Sequence, residues 1–484
     1  MERKSCQIAR ETKDKNYDGK FYFGVKTTGI FCRPSCPAPL AKEENVVYFD
    51  TVFEAINDGF RPCLRCRPDL QVEYAVQNID GSLLVNDALK LIYEGFLFEH
   101  SIKDLAETLY ISDRQLRKLF VEHIGVSPVK VAKFHKALFA RKLLQNSDLS
   151  ITRVATASGF GSIRQFNQVF QEVFGRTPTM ARRGVDLVDE AEGPRLFLPY
   201  HPPFDFAGML SFFRARAIAG IELIDEKSYR RTFRIVEMEG ILSITDCPEA
   251  SALEVQVASE DIRVLMAIYG RVRRMFDLDV NLQAISDRLG KDETLQRGMK
   301  DGVPPRLPVA FDPFEHTIRA VLGQQITVKA ATTLAGRLAA RAGMKTVGYP
   351  EGLDYFFPRP EELTGLALDG LGITNTRQQT VKNVAVALLD GVFHLRSNQS
   401  LDQFRKEFSS VKGIGEWTVQ YVAMRGLGMV NSFPAKDLGI IKALMTGQEK
   451  PKEKEILKRA ELWSPYRAYA AICLWNSNMK SQGE

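Results

Sequence analysis

Apolar side chains change their spacing along this chain, and the changes mark out its elements. Over residues 1–78 they fall in short runs, such as Phe21–Val25 and Val46–Phe49, that predict β-strands. Over 79–184 they recur at i, i+3 and i+4 with few prolines between, the spacing of helices. Residues 185–194, VDLVDEAEGP, are acidic, end in Gly-Pro and read as a linker. Residues 195–280 mix strand-like runs, Thr232–Val236 and Leu253–Val257, with helical ones, and over 281–484 the spacing is helical almost throughout. At about 150 residues per domain, 484 residues fit three domains or four small ones.

Within the helical block one motif occurs twice. Ser112-Asp113-Arg114-Gln115 returns as Ser162-Ile163-Arg164-Gln165, and Phe120, Glu122, Gly125 and Pro128 return as Phe170, Glu172, Gly175 and Pro178, every pair 50 residues apart. Two copies are too few for a solenoid. Two equivalent helical units in tandem fit a double helix-turn-helix, which offers two recognition helices to successive major-groove faces. Charge agrees with that reading. Residues 101–184 hold 14 Lys and Arg against 6 Asp and Glu, in a chain whose net charge is only +6. A basic block on helices suits a phosphate backbone, so double-stranded DNA is the expected partner.

Hydrophobic residues make up 45% of the chain and charged ones 26%, enough for packed cores. No apolar run approaches the ~18 residues needed to cross a bilayer. The opening MERKSCQIARETKDKN has no apolar h-region. The expected setting is the reducing cytoplasm, at the nucleoid, where the seven cysteines are metal ligands or nucleophiles rather than disulfides.

Four of those cysteines form two close pairs. Cys32 and Cys36 are a Cys-x3-Cys pair, Cys63 and Cys66 a Cys-x2-Cys pair, and 26 residues separate the pairs. This is the arithmetic of a tetrahedral Zn²⁺ site. Thiolates at such spacings also suit an iron–sulfur cluster; two pairs on separate turns of a small domain favour zinc. Cys6 stands alone and reads as a bystander. Most four-cysteine sites are structural, and spacing alone does not single out a reactive sulfur.

Residues 15–69, through KTTGIFCRPSCPAP and GFRPCLRC, resemble the N-terminal domain of the Ada family of adaptive-response regulators. The resemblance implies that the first Cys of FCRPSC, here Cys32, accepts a methyl group from a DNA methylphosphotriester while it stays a zinc ligand. Cys36, Cys63 and Cys66 complete the site. Methylating one thiolate removes one negative charge, which weakens repulsion from DNA phosphates. The family carries basic residues after the second Cys, where this chain has Pro37-Ala38-Pro39-Leu40. Phosphate contacts on that side are unaccounted for.

Residues 101–184, with IKDLAETLYISDRQLRKLFVEHIGVSP and VATASGFGSIRQFNQVFQEVFGRTP, resemble the AraC-type double helix-turn-helix that follows this domain in Ada. Arg114, Gln115 and Arg117 fall on the first candidate recognition helix, and Ile163, Arg164 and Asn167 on the second. Arg and Gln suit guanine and adenine edges; phosphate contact or plain solvation is the competing role. Leu116, Leu119, Phe166 and Phe170 have the spacing of core residues. A promoter-binding regulator implies RNA polymerase as a further partner.

Ada continues into an alkylguanine transferase with a Pro-Cys-His-Arg site. Beyond residue 66 this chain has only Cys247 and Cys473, neither in such a motif. Instead Val411-Lys412-Gly413-Ile414-Gly415 separates two helical stretches. Backbone N–H groups at Gly413 and Gly415 can point at a DNA phosphate there, aided by the helix dipole. Trp417 and Tyr421 are an i, i+4 aromatic pair, and Asp437 follows Gly415 by 22 residues, in FPAKDLGIIKAL. On sequence physics alone Asp437 is a helix N-cap; a cap can also be catalytic.

Residues 199–475 resemble the AlkA family of 3-methyladenine glycosylases, in the helix-hairpin-helix superfamily. The matching segments are YHPPFDFAGMLSFFRARAI, DPFEHTIRAVLGQQIT, GIGEWTVQYVAMRGL, FPAKD and SPYRAYAAICLW. The resemblance implies that Asp437 is the catalytic carboxylate and that Trp417, Tyr421, Trp475 and Phe212 form an aromatic base pocket. It also implies a cleft between two helical lobes. Bifunctional relatives carry Lys where Trp417 stands, and Trp forms no Schiff base, so abasic-site lyase activity is not expected. Gln325 takes the place of an apolar DNA wedge and is a poorer one, with Ile326 as the alternative.

These readings predict a multidomain fold: a small α+β four-cysteine zinc domain, an all-α double helix-turn-helix, an α+β antiparallel sheet domain and all-α helix-hairpin-helix glycosylase lobes. The predicted function is repair of alkylated DNA joined to its transcriptional regulation, with Zn²⁺ as cofactor. One competing reading makes the C-terminal half a non-catalytic damage-binding module of a transcription factor. Another makes the N-terminal half a targeting clamp for an enzyme without a promoter.

Overall fold

The computed structural model describes residues 3–14, 17–63, 65–66, 68, 83–93, 96–98, 100–182, 193–396, 399–445 and 449–480. The expected boundary between residues 78 and 79, and residues 185–192 of the expected linker, lie outside them. Two compact units divide the chain: residues 1–195 with 261–267, and residues 196–260 with 268–484.

The first unit opens with the helix Arg3–Glu11 and a four-stranded sheet in the order β3-β1-β2-β4. The strands are β1 (Tyr22–Val25), β2 (Ile30–Cys32), β3 (Val46–Phe49) and β4 (Arg61–Pro62). β1 is antiparallel to both β2 and β3, with Phe23 opposite Cys32 and Tyr48, while β4 joins parallel to β2. Both apolar runs predicted as strands are strands. The helix Val52–Asn57 starts on a capping box between Thr51 and Glu54.

The sequence repeat is a repeat of helix signals. Ser112 caps the helix Asp113–Ile124 and Ser162 caps Ile163–Phe174, each hydroxyl accepting from a backbone N–H at 3.2 Å. Both helices end on a left-handed glycine, Gly125 at φ 79° and Gly175 at φ 65°. The helices that follow, Pro128–Asn146 and Pro178–Ala181, begin with proline, whose missing N–H costs nothing there. Leu116, Phe166 and Phe170 are fully buried, and Leu119 is half-buried.

The second unit carries a five-stranded sheet in the order β5-β9-β8-β7-β6. Its strands are β5 (Arg195–Pro199), β6 (Glu222–Ile224), β7 (Ser228–Ile235), β8 (Met238–Cys247) and β9 (Ala252–Ser259). β6 to β9 are antiparallel neighbours. The run predicted to reach Val236 stops at Ile235, because Val236 takes φ 53° to turn the chain into β8. The buried pair Arg231–Glu315, at 2.5 Å, ties β7 to the helix Pro313–Leu322.

The helices of this unit pack into two apolar cores. One gathers around Ile318, Leu338, Val381, Phe404 and Val422, the other around Leu282, Leu289, Trp463, Tyr469 and Met424. Val422 and Met424 lie on the same helix, Glu416–Arg425, which therefore runs along the seam between the cores. Among the described residues no helix is long and apolar enough to cross a membrane. The architecture is multidomain, joining a cysteine-rich α+β domain, a helix-turn-helix region, an antiparallel sheet domain and two helical lobes.

Candidate functional site

The sheet of the first unit assembles the cysteines. Cys32 ends β2, and Cys36 follows a turn closed by its own N–H to the Arg33 carbonyl at 3.1 Å. Asp18 holds that turn: it accepts from the Ser35 backbone at 3.0 Å and pairs with Arg33 at 3.1 Å. Cys63 leaves β4 with its N–H on the Phe31 carbonyl at 2.9 Å. The sulfurs of Cys32, Cys36, Cys63 and Cys66 all lie within 4.8 Å of one another, and all four residues are buried. A tetrahedral Zn²⁺ with bonds near 2.3 Å needs sulfurs about 3.8 Å apart, which this cluster meets with small adjustment. Four thiolates this close repel one another, so a divalent cation is what the donor set requires. Cys6 lies outside the cluster, buried with Ala9 and Phe21. Beside Pro37-Ala38-Pro39-Leu40, where the Ada family carries basic residues, Lys13 sets its ammonium on the carbonyls of Pro37 and Ala38, at 3.4 and 3.2 Å.

Arg114, Gln115, Arg117, Ile163, Arg164 and Asn167 are all exposed, three on each of the two equivalent helices. Arg117 is engaged with Asp113 at 2.9 Å, one turn back. The other five project without a recorded ion pair among the described residues.

In the second unit Asp437 is the N-cap of the helix Leu438–Ala443, as its sequence predicts. Its Oδ1 accepts from the backbone N–H of Gly439 at 2.8 Å and of Ile440 at 3.2 Å. The same carboxylate takes two indoles: Trp475 donates to Oδ1 at 2.9 Å and Trp417 to Oδ2 at 3.1 Å. Trp417 stacks on Tyr421 with centroids 4.9 Å apart and planes at 11°, and Tyr421 lies 6.2 Å from Trp475. Tyr421 packs against the first helical core and Trp475 against the second. The half-buried carboxylate therefore sits on the seam with aromatic rings from both sides.

Phe212 joins this group indirectly. Its recorded ring neighbour is Phe213, and two guanidiniums cover it: Arg216 at 3.7 Å and Arg425 at 4.4 Å from the centroid. Arg216 in turn interacts electrostatically with Tyr421. His316 lies against Tyr421 with ring centroids 5.1 Å apart and planes tilted by 33°. Burial pushes the Arg425 guanidinium down to about 9 and the His316 imidazole well below its usual range. Sequence reasoning missed Arg216, Arg425 and His316, because a charged residue in a helical run reads as solvated surface.

The other expected DNA contacts lie nearby. Gln325 is exposed and takes a left-handed φ of 58°, which is uncommon for a residue with a Cβ. Ile326 beside it is 36% exposed. Gln324 anchors their turn by donating to the Gly413 carbonyl and to Thr418 Oγ1, both at 3.1 Å. Gly413, at φ 98°, has no room for a side chain, since a Cβ would meet Thr380 Oγ1 at 2.2 Å. Gly415 caps the helix Glu416–Arg425 and faces open space.

Comparison with known proteins matches these parts one by one. Family models match residues 5–69 as the metal binding domain of Ada, 105–184 as a helix-turn-helix domain and 195–312 as the AlkA N-terminal domain. The cofactor of the four-cysteine centre is accordingly Zn²⁺. A Mycobacterium tuberculosis protein described as a probable bifunctional transcriptional activator/DNA repair enzyme AlkA is 34% identical over 98% of this chain and 96% of its own length. The Escherichia coli DNA-3-methyladenine glycosylase 2 is 30% identical over 57% of this chain and 95% of its own length. In fold, the 3-methyladenine DNA glycosylase of Archaeoglobus fulgidus superposes with a TM-score of 0.50 at 20% identity, over 59% of this chain and 99% of that one. The chain belongs to the family of bifunctional transcriptional activators and DNA repair enzymes in which an Ada-type zinc domain and helix-turn-helix are joined to an AlkA-type glycosylase.

Proposed function

We propose that this chain performs two reactions on alkylated DNA and activates transcription of the response to it. In the first, Cys32 attacks the methyl carbon of a methylphosphotriester. An S–C bond forms, the C–O bond breaks and its electron pair stays on the phosphate. With Zn²⁺ bound, the four sulfurs are thiolates, the nucleophilic form. The transfer is stoichiometric, because a thioether has no easy way back.

In the second reaction a damaged nucleotide is flipped out of the duplex. Trp417, Tyr421, Trp475 and Phe212 receive the base, whose positive charge aromatic faces attract. The C1′–N bond breaks with its pair on the base, Asp437 stabilises the cationic sugar, and water adds to C1′. Gln325 or Ile326 fills the gap in the stack, and the N–H groups at Gly413 and Gly415 hold a phosphate. Arg114, Gln115, Arg117, Arg164 and Asn167 read promoter DNA, with RNA polymerase as the partner and the cytoplasmic nucleoid as the setting. The parts divide as zinc domain 1–78, helix-turn-helix 79–184, linker 185–194, sheet domain 195–280 and glycosylase lobes 281–484.

The observation that carries the reading is the Asp437 carboxylate on the seam, held by two indoles and flanked by stacked aromatics. The test is to incubate wild type and Asp437→Asn with methylated duplex, measuring free base and methyl on protein. Base release should fall about 10²–10³-fold while methyl transfer persists. Release at the wild-type rate from the variant would refute the role of Asp437. No release from wild type would favour the non-catalytic damage-binding module.

A further inference from the structure

A cleft of about 560 Å³ opens beside the cysteine centre, with Cys32 in its lining. That volume is within the range of small-ligand sites, about 300–1,000 Å³, so the cleft suits one backbone segment rather than a duplex. Part of its wall is the zinc domain, including Thr28, Arg61 and Arg65; the rest comes from the helix Pro128–Asn146, through Arg141, and from the second helix-turn-helix, including Phe174 and Arg176.

The cations of the cleft are not equivalent. Arg10 is tied to Glu43 at 3.0 Å, and Arg141 lies over the Phe174 ring at 4.9 Å. Arg61 packs under Gly175, where a Cβ would meet its side chain at 2.6 Å. Arg65 and Arg176 have no carboxylate partner among the described residues. Arg176 is also where the two halves of the repeat part company. Its equivalent 50 residues earlier is Val126, an aliphatic residue only 3% exposed. A core aliphatic position in one copy is, in the other, a half-buried guanidinium lining the cleft beside Cys32.

We propose that Arg176 is a positioning residue for methyl transfer, supplied to the zinc domain's cleft by the second helix-turn-helix. The inference rests on Cys32 being the methyl acceptor. The chemistry calls for such a group. A neutral phosphotriester becomes an anionic diester as the thiolate becomes a neutral thioether, so one negative charge moves from sulfur to phosphate. A guanidinium lining the same cleft as Cys32 favours that movement and holds the phosphate as the methyl group is attacked. The reader of promoter sequence thereby also holds the reacting phosphate.

The test uses the full chain with Arg176→Ala and Arg176→Lys. Single-turnover transfer is followed from a duplex carrying one methylphosphotriester, over a range of DNA concentrations. Arg176→Ala should lower the maximal rate about tenfold and change the half-saturating concentration much less, and Arg176→Lys should recover most of the loss. An unchanged maximal rate in Arg176→Ala, a loss confined to half-saturation, or no recovery with Lys overturns the proposal. Absence of transfer by the wild type would instead overturn Cys32 as the acceptor.

Discussion

The indole N–H of Trp417 donates to Oδ2 of Asp437 at 3.1 Å, and the ring carrying it is stacked on Tyr421. One side chain thus aims the carboxylate and builds the aromatic wall beside it. Trp475 does the same from the opposite core, with its N–H on Oδ1. A carboxylate with two ring donors and two backbone donors has little freedom to turn.

Replacing Trp417 by Phe separates the two roles. Phenylalanine keeps a ring against Tyr421 and loses the donor. Base release should fall about tenfold, the worth of one hydrogen bond to a charged group, while the unfolding midpoint stays near that of wild type. Single-turnover excision on alkylated duplex measures it. A Trp417→Phe protein with wild-type excision would mean that the indole only lines the pocket.

Much of this site was legible in the sequence, and the parts that were not have a common cause. The cysteine pairs, the cap at Asp437 and the repeat are local signals, each written in a few adjacent residues. The resemblance groups Phe212 with Trp417, Tyr421 and Trp475, yet its neighbours are Phe213 and the guanidiniums of Arg216 and Arg425. Arg216 is a local neighbour, four residues on, but Arg425 is brought there by packing of a distant segment, which no spacing rule reaches. Lys13 is a similar case, arriving beside Pro37 and Ala38 from the turn after the first helix. Gln324 carries no local signal of its own in the sequence, yet its amide ties the turn of Gln325 and Ile326 to the Gly413 carbonyl.

The zinc assignment predicts about one zinc per chain, lost when Cys63 and Cys66 are both changed to Ala. Elemental analysis of the purified protein decides it. Iron in place of zinc, or zinc retained by the double variant, would contradict the ligand set. All three tryptophans, Trp417, Trp463 and Trp475, lie in the second unit. Their fluorescence should therefore be unaltered by the cysteine changes.

Methylation of Cys32 should tighten specific DNA binding, and the gain should shrink as salt is raised, because loss of one negative charge acts on phosphates through screened electrostatics. Titrating methylated and unmethylated protein onto one operator at several salt concentrations measures it. A gain independent of salt would point to a change of shape rather than of charge.

The last prediction concerns Asp277, which supports the helix that carries Trp475. Its carboxylate accepts from the Leu307 N–H at 3.0 Å and from the Tyr469 hydroxyl at 2.9 Å. Burial pushes this carboxyl up to about 7, against the opposing pull of those two donors and of Arg306. A raised folded-state value means that the native protein holds the proton more tightly than the unfolded chain. The stability this contributes is complete below about pH 4, and is lost at about 1.4 kcal/mol per pH unit as pH rises toward 7. Asn at this position does not titrate. It also tolerates the left-handed φ of 52° found there better than most residues do. Denaturation followed by tryptophan fluorescence from pH 5 to 8 should show wild type losing stability relative to Asp277→Asn up to about pH 7, then running parallel to it. Loss of the counter-charge near Arg306 shifts the two curves by a constant amount once Asp277 is ionised and leaves that shape intact. Parallel curves over the whole range would mean that Asp277 ionises as readily in the folded protein as in the unfolded chain.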